Sequence, residues 1–361
     1  LQEAPAESTA STAAAESAQL YVLSAKSEQA LRAQAEHLAE HLNRSADSAL
    51  ASVAYTLAVS RAAMDQRLAI VAHTRQELRQ ALAAAARGEE ASGAQKGESG
   101  GEGKTGERNR AWLFTGQGAQ RAGMGKELYQ RWEVFRREMD EVCGELERNL
   151  EGYLERPLRE VMWAEEGSPE GKLLEQTVYT QTGTFAVQWA LAKLWESFGV
   201  KAERVVGHSV GELAAACVAG VMTMKEGARL VAARGRLMQG LDEGGAMVAV
   251  GAGEREVEKE LRGSRGSVVV AAVNAEDAVV IAGDESEVME VSGRLERRGV
   301  RVKRLEVSHA FHSPRMEPML KEYRKEAERV EYRRKKIPMV STVSGEEAGE
   351  EGETAEYWVR Q

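Results

Sequence analysis

Cysteine is nearly absent from this chain: Cys143 and Cys217 are the only two in 361 residues. Two are too few for a disulfide framework, and no His/Cys cluster has metal-ligand spacing, so neither a disulfide-stapled nor a metal-built fold is expected. Long apolar runs are missing as well. No stretch approaches the ~18 apolar residues of a membrane span. The start of the chain is acidic and rich in Ala, Ser and Thr. It lacks the basic segment of a secretory signal, so a cytoplasmic protein without a membrane partner is expected. Positive charge is in deficit too. A net charge of −9 argues against nucleic acid as a partner. What remains is 43% hydrophobic residues in a chain long enough for two or three domains.

The most informative segment is Gly207-His208-Ser209-Val210-Gly211. It follows the apolar pair Val205-Val206 and precedes a helical apolar pattern starting at Glu212. Strand, sharp turn and helix are the setting of a nucleophile elbow, which lifts a Ser hydroxyl clear of a sheet. Ser209 would then sit where free N–H groups favour a developing oxyanion. The competing reading is a capping Ser, since Ser209 and Glu212 also spell a capping box.

Three further features favour a reactive Ser. On a helix over 225–239, Arg234 has Leu230, Val231, Leu237 and Met238 at its i±3 and i±4 positions, so it lies on a core-facing stripe. A guanidinium there must find an anion, either an internal carboxylate or a bound one. Gly116-Gln117-Gly118 follows the strand-like Ala111–Phe114 and can present backbone N–H groups to a ligand. Histidine is scarce, at six residues. His37, His41 and His73 fall in an N-terminal region, and His208 adjoins the Ser, so its side chain should point elsewhere. That leaves His309 and His312 as candidate bases.

With these motifs together, the chain resembles an acyltransferase domain of a modular type I polyketide synthase, related to malonyl-CoA:acyl-carrier-protein transacylases. The resemblance covers roughly residue 19 to the end. It rests on Phe114-Thr115-Gly116-Gln117-Gly118, Gly207 to Glu212, Arg234 and His309-Ala310-Phe311-His312. It implies Ser209 as the acylated nucleophile, His312 as its base, and the N–H groups of Gln117 and Val210 as the oxyanion hole. Arg234 would hold the free carboxylate of the extender unit. Gln181, Asn274 and His208 match positions near the site with a secondary role. His309 and Phe311 would set extender choice, because His-Ala-Phe-His accompanies malonyl in the resembling domains. The implied partners are malonyl-CoA, an acyl carrier protein and an adjacent ketosynthase in the same polypeptide. No metal or organic cofactor is implied. A basic stretch from Lys321 through Arg324, Lys325, Arg333, Arg334, Lys335 and Lys336 is a candidate carrier-docking surface.

The expected fold class is α/β: an α/β-hydrolase-like large subdomain with an inserted ferredoxin-like small subdomain, preceded by a small α/β linker domain. Residues 1–18 read as a disordered tail and 19–90 as the ketosynthase-to-acyltransferase linker domain. Residues 91–109, rich in Gly, Lys and Glu, read as a flexible connection. The large subdomain takes 110–242 and 308–361. Between them, 243–307 spell β-α-β-β-α-β, the ferredoxin-like order, with the last strand over 300–307. A methylmalonyl-selective acyltransferase is the nearest alternative. A Ser hydrolase or thioesterase is weaker, because no Asp or Glu stands out as a third triad member. A scaffold that kept the fold is weaker still. In the related enzymes the carbonyl that orients His312 comes from a segment after the Tyr357-Trp358-Val359-Arg360 motif; the sequence stops at Gln361, so that orienting strand is expected to be missing.

Overall fold

The computed structural model describes residues 18–44, 49–98, 110–262 and 266–361. Two compact units divide at residues 107 and 108. In the first, strands β1 (Gln19–Ala25), β2 (Gln66–Ala72) and β3 (Ala94–Glu98) form an antiparallel sheet in that order. Helices α1 (Glu28–Arg44), α2 (Leu50–Val59) and α3 (Arg75–Arg87) supply its other layer. Alternation in β1 and β2 buries Tyr21, Leu23, Leu68 and Ile70 against Leu31, Ala35, Leu78 and Leu82. The capping box expected at Thr74 and Glu77 opens α3, and Gly88, left-handed at φ 82°, closes it.

One expectation fails here. Residues 91–98 are not a flexible connection: Ala94–Glu98 pairs with Gln66–Ile70. As an edge strand it exposes almost every side chain, so its sequence carries no apolar alternation to reveal it. The rest of the expected connection, 99–109, and the expected tail apart from Ala18 lie outside the described residues.

The second unit begins with β4 (Ala111–Phe114). Helices α4 (Lys126–Arg131), α5 (Glu133–Asn149), α6 (Leu158–Met162), α7 (Pro169–Lys172) and α8 (Thr177–Ser197) follow. Then come β5 (Arg204–Gly207), α9 (Val210–Ala219) and α10 (Met224–Gln239). The small subdomain is β6 (Gly245–Val250), α11 (Glu254–Leu261), β7 (Val268–Ala275), β8 (Ala278–Asp284), α12 (Glu285–Arg297) and β9 (Val302–Arg304). The chain returns through α13 (Glu317–Ala327), β10 (Met339–Val340) and α14 (Ala355–Arg360).

In the large subdomain β10, β5 and β4 form a parallel sheet with β5 central. A central parallel strand is covered on both faces, which is why Val205 is fully buried. Helix α8 buries every residue from Thr177 to Ala186, so it lies inside the helical layer rather than over it. In the small subdomain the antiparallel order β7-β8-β6-β9 is the ferredoxin-like arrangement. Its own core is built on Val248, Val250, Ile281, Val288 and Leu295. The last strand is shorter than expected, three residues rather than eight. Beyond Leu305, whose N–H still reaches the Met247 carbonyl at 2.9 Å, the chain leaves the sheet edge for the loop that carries His309 to His312. Among the described residues no helix is long and apolar enough to cross a membrane.

Candidate active site

Strand β5 ends at Gly207, and α9 begins at Val210. The turn between them holds Ser209 at φ 51°, ψ −120°. That backbone conformation is normally left to glycine, and it is retained only where the surroundings over-determine it. The flanking glycines show why the turn can be so tight. A Cβ on Gly207 would fall 2.3 Å from the Glu212 backbone, and one on Gly211 would fall 2.4 Å from the Phe114 carbonyl oxygen. The capping reading of Ser209 fails on the same geometry: its side chain accepts no hydrogen bond from the helix.

Instead, Ser209 Oγ lies 2.8 Å from His312 Nε2. His312 is itself left-handed, at φ 56°. Among the described residues these two are the only non-glycines with positive φ, so backbone strain is concentrated on the pair. His309 goes elsewhere. Its Nε2 donates to the Leu241 carbonyl at 3.0 Å, and its Nδ1 meets the Ser308 hydroxyl at 2.9 Å. Phe311 is buried, with its ring centre 6.0 Å from that of His309.

His312 is held in its neutral form. Burial, then the Arg234 guanidinium, then His208 push its imidazole down to about 3, and only a backbone hydrogen bond with Gln361 works the other way. With Nε2 facing Ser209, that bond falls to the ring's other nitrogen. A backbone partner for His312, expected to be missing, is thus present in Gln361, directly after the Tyr357-Trp358-Val359-Arg360 motif. No Asp or Glu side chain is among the groups that act on the His312 ring.

Arg234 sits in α10, which a Thr223–Glu226 capping box opens. It is 3% exposed, as its apolar neighbours require. Its guanidinium donates to Gln181 Oε1 at 2.9 Å from α8, and to Ser209 Oγ at 3.2 Å. Among the described residues it forms no ion pair, and the buried Glu212 carboxylate acts on it only from beyond pairing distance. A buried cation hydrogen-bonded only to neutral groups, beside a Ser hydroxyl, is a ready site for an anionic ligand.

The loop after β4 lies against the elbow. The His208 N–H donates to the Phe114 carbonyl at 2.8 Å, and a Cβ on Gly116 would fall 2.6 Å from His208 Nδ1. Gln117 is half-buried at the following turn. At the helix start the N–H groups of Gly211 and Glu212 are taken by the His208 and Ser209 carbonyls, at 3.0 and 2.9 Å. Among the described residues the Val210 N–H meets no backbone carbonyl, which suits it to an oxyanion. The His208 side chain turns away from Ser209, as expected, and reaches the small subdomain. Its Nε2 lies 3.3 Å from Asn274 Oδ1, on β7 of the small subdomain, so the dyad sits where the two subdomains meet.

Sequence reasoning missed the role of Glu212, which is fully buried on α9, the helix that follows Ser209. The basic stretch is also less free than its sequence suggests. Arg324, Lys325, Arg333 and Lys335 pair with Glu356, Glu322, Glu331 and Glu353.

Comparison with known proteins fits this geometry. A family model described as the acyl transferase domain matches residues 111–361, and one described as a RhiE-like KS-MAT linker domain matches residues 22–89. The chain is 47% identical over 341 residues to polyketide synthase GfsA of Streptomyces halstedii, covering 94% of this chain and 4% of that protein. It is 44% identical over 340 residues to the spectinabilin polyketide synthase system protein NorB of Streptomyces orinoci, covering 94% of this chain and 15% of that one. The chain thus spans a small fraction of the length of these relatives. Among solved structures, the acyltransferase domain from module 8 of the salinomycin polyketide synthase superposes with a TM-score of 0.83 at 32% identity, over 95% of this chain and 78% of that one. The domain from the second module of that synthase has 44% identity and a TM-score of 0.71, over 94% and 76%. The malonyl CoA-acyl carrier protein transacylase of Clostridium perfringens has 29% identity and a TM-score of 0.62, over 70% and 78%.

Proposed function

The chain belongs to the acyl transferase domain family, and from that premise we propose that it moves a malonyl unit from malonyl-CoA to the phosphopantetheine thiol of an acyl carrier protein. The observation that carries this reading is a Ser–His contact of 2.8 Å with the buried Arg234, bonded only to neutral groups, 3.2 Å from the same hydroxyl. A nucleophile beside an anion site suits an acyl group with a free carboxylate.

In the first half-reaction His312, neutral at pH 7, takes the Ser209 proton as Oγ attacks the thioester carbonyl. The tetrahedral oxyanion rests on the N–H groups of Val210 and Gln117. Arg234 meets the malonyl carboxylate while Gln181 steadies the guanidinium. The thioester C–S bond breaks, and His312 returns the proton to the departing CoA thiolate. In the second half-reaction the carrier's thiol gives its proton to His312 and attacks the Ser209 ester; the acyl C–O bond to Ser209 breaks, His312 returns the proton to Ser209 Oγ, and the acyl thioester leaves on the carrier.

The match to a KS-MAT linker model favours a ketosynthase in the same polypeptide. The His309-Ala310-Phe311-His312 motif favours malonyl over methylmalonyl, with the Phe311 ring in the wall where a methyl branch would project. Mixing the protein with malonyl-CoA and then a carrier thiol tests the reading. A malonyl mass increment that the thiol removes supports transfer, and an increment lost to water alone supports a hydrolase.

A further inference from the structure

The Ser209–His312 pair is connected to a buried acid that the chemistry above does not use. The Glu212 carboxylate accepts hydrogen bonds from the hydroxyls of Thr342 and Tyr357 and, at 3.4 Å, from the Thr342 N–H. The Gln361 side chain bonds it too. Tyr357 in turn lies 2.7 Å from the Ser341 hydroxyl. Several groups from residues 341–361 therefore converge on one carboxylate of α9, far away in sequence.

Gln361 links this cluster to both members of the dyad. Its side-chain Nε2 donates to the Ser209 carbonyl at 3.0 Å, and its backbone hydrogen-bonds His312. A buried carboxylate is tolerated only when its oxygens are hydrogen-bonded, and apolar packing would stabilise the same place at least as well. What a satisfied polar cluster adds is a single geometry. Burial pushes the Glu212 carboxyl above its usual range, and the hydrogen bonds from this segment oppose that push.

We infer that Glu212, Tyr357 and Thr342 are positioning residues for acyl transfer: they fix the segment ending in Gln361, and Gln361 sets the Ser209 backbone and the His312 ring for proton transfer. The inference rests on the reading of Ser209 as nucleophile, so its test uses a readout independent of the acyl donor. A fluorophosphonate probe reports Ser209 reactivity with no demand on Arg234 or CoA.

Tyr357→Phe should label about 10- to 100-fold more slowly than wild type, the cost of a small misplacement of reacting groups. Its malonyl-to-acetyl preference should stay unchanged, and its half-saturating malonyl-CoA concentration should move by less than about twofold. Val142→Ala, a cavity in α5, is the control for general destabilisation and should label at the wild-type rate. Should Tyr357→Phe fail to fold, Thr342→Val removes another bond to the same carboxylate and should show the same slowing. Labelling of these variants at the wild-type rate, or slowed no more than in Val142→Ala, overturns the inference. Wild type that labels with the probe yet forms no malonyl adduct overturns the proposed substrate and leaves the positioning role standing.

Discussion

Replacing Arg234 by Ala separates the recognition of a carboxylate from the chemistry at Ser209. Arg234 is buried, bonded to Gln181 Oε1 at 2.9 Å and Ser209 Oγ at 3.2 Å, and carries no ion pair among the described residues. A malonyl carboxylate would complete it as a buried, forked pair. Losing one partner of such a pair costs about 3–5 kcal/mol. That is roughly 10²- to 10⁴-fold in the acylation rate constant. Water entering the space left by the guanidinium holds the loss toward the lower end. Acetyl-CoA has no carboxylate to lose, so its acylation should fall only through the missing contact with Ser209 Oγ. The malonyl-to-acetyl ratio should therefore collapse by about 10²-fold or more. A second signature is electrostatic. Arg234 depresses the His312 imidazole, so Arg234→Ala should raise it. Since the base must be neutral, the acid limb of acetyl transfer should move to higher pH. Single-turnover acylation followed by intact mass, with each donor across a pH series, measures both effects. A ratio within about threefold of wild type, where the expected loss is a hundredfold, would show that Arg234 does not read the carboxylate.

Ser209→Gly should abolish acylation yet stabilise the fold: relief of a φ near 51° is worth about 1–3 kcal/mol, less the ~0.5–1 kcal/mol of extra chain entropy that glycine loses. Urea unfolding checks the sign. His312 contributes a pH dependence. Its folded pKa, about 3, is depressed from 6.5, so the unfolded chain binds the proton first. The associated stability is present above pH 6.5 and is lost toward pH 3, at up to about 1.4 kcal/mol per pH unit. Unfolding at pH 7 and 5 should show that slope in wild type and a shallower one in His312→Gln. Competing malonyl-CoA against methylmalonyl-CoA at equal concentration should give mainly the malonyl-enzyme. Phe311→Ser should narrow that preference by about 10-fold or more, since one methyl in a pocket is worth ~1–3 kcal/mol.

The local features of the site are legible in the sequence because they are imposed by short-range geometry. Gly207 and Gly211 announce a turn that no Cβ fits, and the four apolar neighbours of Arg234 announce its burial on α10. The β-α-β-β-α-β order of the small subdomain follows from periodicity alone. What escapes is long-range. Ser209 and Glu212 look like a capping box, but Glu212 turns instead to Thr342 and Tyr357, more than a hundred residues away. The place of His208 is hidden for the same reason: chain adjacency to Ser209 says nothing of Asn274, which β7 brings to its ring. The edge strand Ala94–Glu98 escapes for another reason: an edge position buries little, so it leaves no alternation to read, and β9 departs from expectation only in its length, three residues instead of eight.

Every step of the proposed chemistry depends on Ser209 carrying the acyl group. Peptide mapping by mass spectrometry after brief exposure to malonyl-CoA addresses this without intermediate assumptions, with wild type and Ser209→Ala run side by side. The expected outcome is a malonyl increment on the peptide containing Gly207 to Gly211 in wild type, located on Ser209, and no increment anywhere in the variant. An increment that persists in Ser209→Ala, or that maps to another residue of the wild-type chain, would rule Ser209 out as the acyl carrier.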